Sequence, residues 1–159
     1  MTEPIDILIA GGGPVGAALA LALQDSGHSV VLTEARSAET DTSGAPSTKS
    51  GDARPIALSY SSRLILERLN AWSGLAATPI ETIHVSQQGG FGRTLIRAAD
   101  CGLPALGYVV SYDNLQQGLL AAPCSGRRIF GARLTGFDGT TALVLTQDGE
   151  LALAPRLTV

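Results

Sequence analysis

Ile5-Asp6-Ile7-Leu8-Ile9-Ala10-Gly11-Gly12-Gly13-Pro14-Val15-Gly16 is the stretch on which the fold turns. Ile5 to Ala10 is a short apolar run entering glycines, as expected of a strand buried on both faces of a parallel sheet. Pro14 to Ser26 follows with Val15, Ala18, Leu19, Ala22 and Leu23 at helical spacing. Gly27 can take the left-handed conformation that stops a helix, and Ser29 to Glu34 (SVVLTE) then reads as a second buried strand. Strand, turn, helix and strand make one βαβ unit, so the chain is expected to be an α/β protein with a Rossmann-like domain.

The glycines fit G-x-G-x-x-G, and they lie where the physics needs them, between a buried strand and the start of a helix. Gly11 permits the tight turn, Gly13 lets backbone approach a pyrophosphate, and Gly16 lets helix and strand pack closely while helix N–H groups meet the phosphate. Glu34 closes the second strand, where a carboxylate can accept hydrogen bonds from ribose hydroxyls. Three glycines could be a merely flexible turn and Glu34 a solvated strand end. With all four elements in register, dinucleotide binding is the expectation. The N-terminal position of the motif favours FAD, although the glycines alone do not separate FAD from NAD.

Outward from this unit, Ser37 to Pro55 is polar, aperiodic and rich in Ser, Thr, Gly and Pro, a long loop that reads as a ligand cover or a poorly ordered segment. Ser61 or Ser62 is expected to cap a helix running to about Trp72, with Leu64, Ile65, Leu69 and Trp72 facing inward. Beyond Pro79 the pattern becomes β: ETIHVSQ and RTLIRA alternate around Gly89, Gly90 and Gly92, a hairpin on which His84 points away from Ile83 and Val85. Tyr108 to Ser111 is extended, and Asp113 with Gln116 has capping-box spacing for a helix that Pro123 ends. Arg128 to Phe137, Ala142 to Gln147 and Glu150 to Leu153 read as strands, with Arg156 to Val159 beginning another.

Composition excludes several classes. The chain has 159 residues, 45% of them hydrophobic and 16% charged, with a net charge of -3. That is the balance of a globular protein with no basic surplus for nucleic acid. The N-terminus has no positively charged leader region, and its apolar run is far short of a membrane span, so a cytoplasmic protein is expected. Cys101 and Cys124 form no C-x-x-C pair, and His28 and His84 have no acidic cluster at ligand spacing; no metal site is expected.

Gly51-Asp52-Ala53-Arg54-Pro55-Ile56-Ala57-Leu58-Ser59, with the helix ending in Asn70-Ala71-Trp72, resembles the FAD-dependent hydroxylases of ubiquinone biosynthesis, within the para-hydroxybenzoate hydroxylase-like flavin monooxygenases. Pro79 to Ser86 and Ala105 to Val110 are similar to further stretches of that family. The resemblance implies that Gly11, Gly12, Gly13, Pro14, Val15 and Gly16 hold the FAD pyrophosphate. It also implies that Glu34 holds the adenosine ribose, that Arg36 lies beside the adenosine half, and that Arg54 lies against the flavin nucleotide. It assigns no catalytic side chain, because the reduced flavin reacts with oxygen while the protein positions a phenol and excludes water.

The implied parent is an FAD monooxygenase that uses NAD(P)H and O2 on an aromatic small molecule, a polyprenylated ubiquinone precursor. Peripheral association with the inner membrane or a multi-enzyme complex fits the same picture. Residues 1–78 are read as the FAD-binding βαβ unit and following helix, 79–112 as the start of an inserted substrate-domain sheet, and 113–159 as an incomplete return to the FAD domain. The family continues past a strand like Arg156 to Val159 into a second substrate segment and a later FAD-touching motif. A truncated chain is therefore expected, inactive alone and prone to self-association through the hairpin near Ile80 to Arg97 and through unpartnered strands after Arg128. Two other readings are a plain NAD-binding oxidoreductase domain and a non-catalytic binder like the GDP-dissociation inhibitors, which share the glycine turn.

Overall fold

The computed structural model describes residues 2–37 and 53–159, so the loop expected between Ser37 and Pro55 falls almost wholly outside the described residues. The chain divides into two compact units: residues up to 51 together with 119–159, and residues 52–118.

The first unit opens with β1 (Glu3–Ala10), α1 (Pro14–Ala22) and β2 (Val30–Glu34). β1 and β2 pair in parallel, with Ile7 opposite Val30 and Ala10 opposite Thr33. All five residues of β2 are buried, as a strand covered on both faces requires. The helix is shorter than its periodicity suggests. It ends at Ala22 because the next carbonyl, that of Leu23, is taken by the Ser26 N–H at 3.0 Å and the Ser26 hydroxyl at 2.6 Å; Gly27 lies beyond. Its inward residues are Ala17, Ala20 and Leu21, while Val15 is exposed. An almost wholly apolar helix has no polar face to fix its rotation, so tertiary packing sets it.

In the second unit β3 (Pro55–Ser59) leads into α2 (Tyr60–Arg68). Ser59, not Ser61 or Ser62, is the cap: its hydroxyl accepts the Ser62 N–H at 3.1 Å. Leu66 is the buried position of this helix; of the residues expected to face inward, Leu64 and Ile65 are exposed while Leu69 and Trp72 are half-buried. Asn70 adopts a positive φ of 55° after the helix. The guanidinium of Arg63 lies 5.5 Å from the Trp72 ring and 5.1 Å from that of Tyr108, and donates to Glu67 Oε1 at 2.8 Å. Amphipathic Arg thus takes the place expected for the apolar side chains.

β4 (Thr78–Ile80), β5 (Thr82–Ser86), β6 (Arg93–Arg97) and β7 (Gly107–Ser111) follow. A three-stranded antiparallel sheet runs β3-β7-β4, and among the described residues β5 pairs with β6 alone. Every residue of that hairpin is exposed. Ile83 lies opposite Ile96 and His84 opposite Leu95. α3 (Tyr112–Ala121) carries the chain back to the first unit. Its cap is Ser111, whose hydroxyl accepts the Asn114 N–H at 3.3 Å, not Asp113.

Returning to the first unit, the chain forms β8 (Arg127–Phe130), β9 (Arg133–Asp138), β10 (Thr141–Thr146) and β11 (Gly149–Thr158). The single strand expected over Arg128 to Phe137 is broken because Gly131 N–H and Ala132 N–H turn to the carbonyls of Arg36 and Glu34, both at 2.9 Å. The two last strands fuse into one: β11 pairs antiparallel with β10 through Leu153, then parallel with β1 from Leu153 onward. Pro155 is tolerated because β10 has left that edge before it. The order is β8-β2-β1-β11-β10-β9, so the strands after Arg128 are partnered within the chain. Leu8 and Val31 pack against Ala142, Val144 and Leu153, while Ile9, Val30 and Leu32 pack with Ala20. The parallel strands are therefore filled on both sides.

One polar cluster ties the start of β2 to its neighbours. Asp6 Oδ2 accepts the N–H and the hydroxyl of Ser29, both at 2.9 Å, and Oδ1 accepts from Arg156 Nη1 at 3.2 Å. The Ser29 N–H first, then its hydroxyl and Arg156, hold the Asp6 carboxyl below the ordinary carboxylate range. A depressed folded value means stabilisation that is present above the unfolded value and lost as pH falls through the folded one. Asp6→Asn should melt lower than the parent at about pH 7, and the gap should narrow toward about pH 3. A gap in Tm that stays constant across that range would show that the charge contributes nothing.

Candidate functional site

The glycine turn lies at the C-terminal end of β1, where the strand order reverses: β2 and β8 lie to one side of β1, and β11 to the other. The β1–β11 pairing reaches the turn, with Ala10 N–H donating to Val159 O at 2.8 Å. Open α/β sheets bind ligands in the crevice at this kind of switch point, outside the carboxyl ends of the strands.

Within the turn the three glycines do different work. Gly11 has φ of 122°, a backbone conformation that side chains disfavour, and its N–H donates to Thr33 O at 2.8 Å. Gly12 is buried, and its N–H donates to Glu34 Oε2 at 2.7 Å; a Cβ there would lie 2.7 Å from the same oxygen. Gly13 is the N-cap of α1, in an extended conformation with φ −63° and ψ 173°. Gly16 sits where a Cβ would come within 2.0 Å of Gly11 O and 3.2 Å of Ile9 Cγ2, so helix and strand meet only because that atom is missing.

The first helical hydrogen bond is Ala17 N–H to Gly13 O at 2.9 Å. The amides before it have no acceptor within the helix, and Pro14 has none to offer. That leaves the N–H groups of Gly13, Val15 and Gly16. Among the described residues no side chain caps this end, and no acidic residue occupies its first turn. An uncapped N-terminus with donors left over in its first turn and the positive end of the helix dipole suits a phosphate group. The amides of Gly11 and Gly12 point into the protein, so these two residues shape the cradle, and the donors come from Gly13 onward.

Glu34 stands next to this cradle at the end of β2, 9% exposed. It is more occupied than the sequence suggests. Besides Gly12, the Arg36 N–H donates to Oε1 at 2.9 Å, and Arg36 Nε lies 3.7 Å from the same oxygen. Each carboxylate oxygen retains a second lone pair with which to accept a hydroxyl. Arg36 has a largely exposed side chain beside Glu34. No local sequence motif marks Thr33 or the Gly131-Ala132 pair, yet their backbone bonds hold the turn and the end of β2. Arg54 belongs to the second unit, with its guanidinium 5.6 Å from the Tyr112 ring. Gly51 and Asp52 of the Asp-Ala-Arg stretch lie outside the described residues. Among the described residues no group of His, Cys, Asp and Glu could hold a metal, and no helix is long and apolar enough to cross a membrane.

Comparison with known proteins agrees with this geometry. The model of the FAD dependent oxidoreductase family matches residues 6–114. The chain is 34% identical over 132 residues to the 3-demethoxyubiquinol 3-hydroxylase of Escherichia coli K12, covering 76% of this chain and 30% of that protein. Its fold is similar to that of p-nitrophenol 4-monooxygenase PnpA from Pseudomonas putida DLL-E4, with a TM-score of 0.70 and 17% identity over 99% of this chain and 40% of that one. It is also similar to the flavin-dependent monooxygenase PieE in complex with FAD and substrate, with a TM-score of 0.70 and 19% identity over 98% of this chain and 29% of that one. The chain thus spans less than half the length of each.

The close approach at Gly16 is directly testable. Gly16→Ala sets a methyl group against the backbone carbonyl of Gly11, a residue whose N–H is held by Thr33 O. The variant should lose about 1–3 kcal/mol of stability, the usual range for overpacking. Urea denaturation reads this as a lower midpoint at constant slope, and an unchanged midpoint would mean that α1 stands farther from the turn in solution.

Proposed function

Because the chain belongs to the FAD-dependent oxidoreductase family, we propose that it is the dinucleotide-binding region of a flavin monooxygenase that hydroxylates an aromatic ring, a polyprenylated quinone precursor carrying a phenol. The reaction takes a hydride from NADH or NADPH and one atom of O2 into the ring, with the other leaving as water. The hydroxylase activity that names the Escherichia coli relative supports the substrate class. The observation that carries the reading is the uncapped start of α1 at the switch point of the sheet, with Glu34 at the end of the next strand.

In this reading the N–H groups of Gly13, Val15 and Gly16 bind the FAD pyrophosphate. Glu34 accepts ribose hydroxyls on its remaining lone pairs, and Arg36 lies along the adenosine. Arg54 contributes to the flavin side. When bound, FAD supplies the redox chemistry that amino-acid side chains lack. The chain's own part is binding and orientation: the sheet holds the glycine turn rigid, so the cradle needs little ordering when the nucleotide arrives. A substrate with a polyprenyl tail would bring the protein to the surface of the inner membrane, alone or within a multi-enzyme complex.

Titration of the chain with ADP and with FAD tests the site. ADP should bind, and Gly13→Val should weaken it at least about tenfold, because the branched side chain stands where the phosphate approaches. The conformation of Gly13 is open to valine, so the variant should stay folded by circular dichroism. A folded Gly13→Val with undiminished affinity for ADP would remove the glycine turn from the site.

A further inference from the structure

Resting on the reading of the glycine turn as the FAD site, we propose that Glu34 is a positioning residue for the pyrophosphate half of that site, in addition to any contact with ribose. Gly11-Gly12-Gly13 is the most permissive run of backbone in the protein, because each glycine can reach conformations closed to other residues. A cradle for phosphate needs the opposite, donors held in fixed directions before the ligand arrives. Two bonds to the end of β2 supply the constraint: Gly11 N–H to Thr33 O at 2.8 Å and Gly12 N–H to Glu34 Oε2 at 2.7 Å. The second is the only one made by a side chain, it is buried, and it fixes the residue directly before the first free donor of the cradle, Gly13. The fit is tight: a Cβ on Gly12 would also lie 2.9 Å from Glu34 Cβ, so any side chain there requires Glu34 to shift.

A carboxylate beside a diphosphate would ordinarily weaken binding by repulsion. Here both oxygens already accept charge-assisted bonds, from the N–H groups of Gly12 and Arg36, and the Arg36 guanidinium lies at 3.7 Å. The charge is locally compensated, so the geometric gain outweighs the repulsion that remains. The two possible tasks of Glu34 then differ in sign. A residue that only binds ribose leaves inorganic pyrophosphate unaffected by its removal, or bound more tightly once the negative charge is gone. A residue that holds the turn loses pyrophosphate affinity when removed.

The test is calorimetric titration of the parent chain, Glu34→Gln and Glu34→Ala with inorganic pyrophosphate, adenosine and ADP, with the Gly12 amide resonance followed by NMR. Gln keeps one carbonyl that can accept the Gly12 N–H, whereas Ala keeps none. Pyrophosphate affinity should fall in the order parent, Gln, Ala, by about tenfold at Ala, the scale of one charge-assisted hydrogen bond. The Gly12 amide proton should shift in step. If Ala proves unfolded by circular dichroism, Gln must still bind pyrophosphate more weakly than the parent. Equal or tighter pyrophosphate binding by folded variants, with only adenosine and ADP weakened, overturns the positioning role and leaves the FAD reading intact. A parent chain that binds none of the three ligands overturns the FAD reading itself, and the proposal with it.

Discussion

Two hydrogen bonds across the end of the parallel sheet set the geometry on which the site depends: Gly11 N–H to Thr33 O, and Gly12 N–H to the Glu34 carboxylate. They carry the register of the β1–β2 ladder past the last paired residues and into the turn. The start of α1 is thereby placed at the crevice, and the missing Cβ of Gly16 lets the helix lie down on the strand it has just left. The same end of β2 is tied on its other side, where the carbonyls of Glu34 and Arg36 accept the N–H groups of Ala132 and Gly131. The glycine turn is thus the tip of a ladder that runs through several strands.

The first βαβ unit was legible in the sequence because each of its signals is local. An apolar run, a glycine turn, Pro14 at the first helical position and a second apolar run follow one another without interruption, and each needs no distant partner to be read. The FAD family was likewise legible in the glycines and the Asp-Ala-Arg stretch. What sequence could not give was rotation and register. In PVGAALALA every face is apolar, so the buried stripe at Ala17, Ala20 and Leu21 was decided by contact with β1 and β2. On α2 the inward place went to Leu66 and to Arg63, whose charge hid its packing role among Tyr60, Trp72 and Tyr108.

Long-range pairing was the other blind spot. β7 returns from beyond the hairpin to lie between β3 and β4, and β11 serves two partners in one sheet, antiparallel to β10 up to Leu153 and parallel to β1 from there on. Neither follows from alternation, which fixes which residues share a face but not which strand they meet. The expectation that the strands after Arg128 lack partners has the same origin: β8 pairs with β2 and β11 with β1, while β8 and β9 remain the two edges of the sheet. Glu34 is a subtler case. Its position at the strand end announces its outward chemistry, whereas its inward bonds to Gly12 and Arg36 depend on how the turn folds back onto β2.

That double engagement explains how a site can be built from the least rigid residues available. Ordering a glycine costs roughly 0.5–1 kcal/mol more than ordering an alanine, so three in succession form a weak point unless the fold holds them. Tight approach of backbone to a phosphate nevertheless excludes side chains at the same place. The chain resolves the conflict by moving the restraint off the glycines and onto the strand beside them, with Thr33 supplying a carbonyl and Glu34 a carboxylate. The flexible residues stay free of side chains on the side that faces the crevice, and are held from behind by a strand buried along its whole length. A site made this way is as rigid as the sheet that backs it, which is what a binding surface with donors aimed in advance requires.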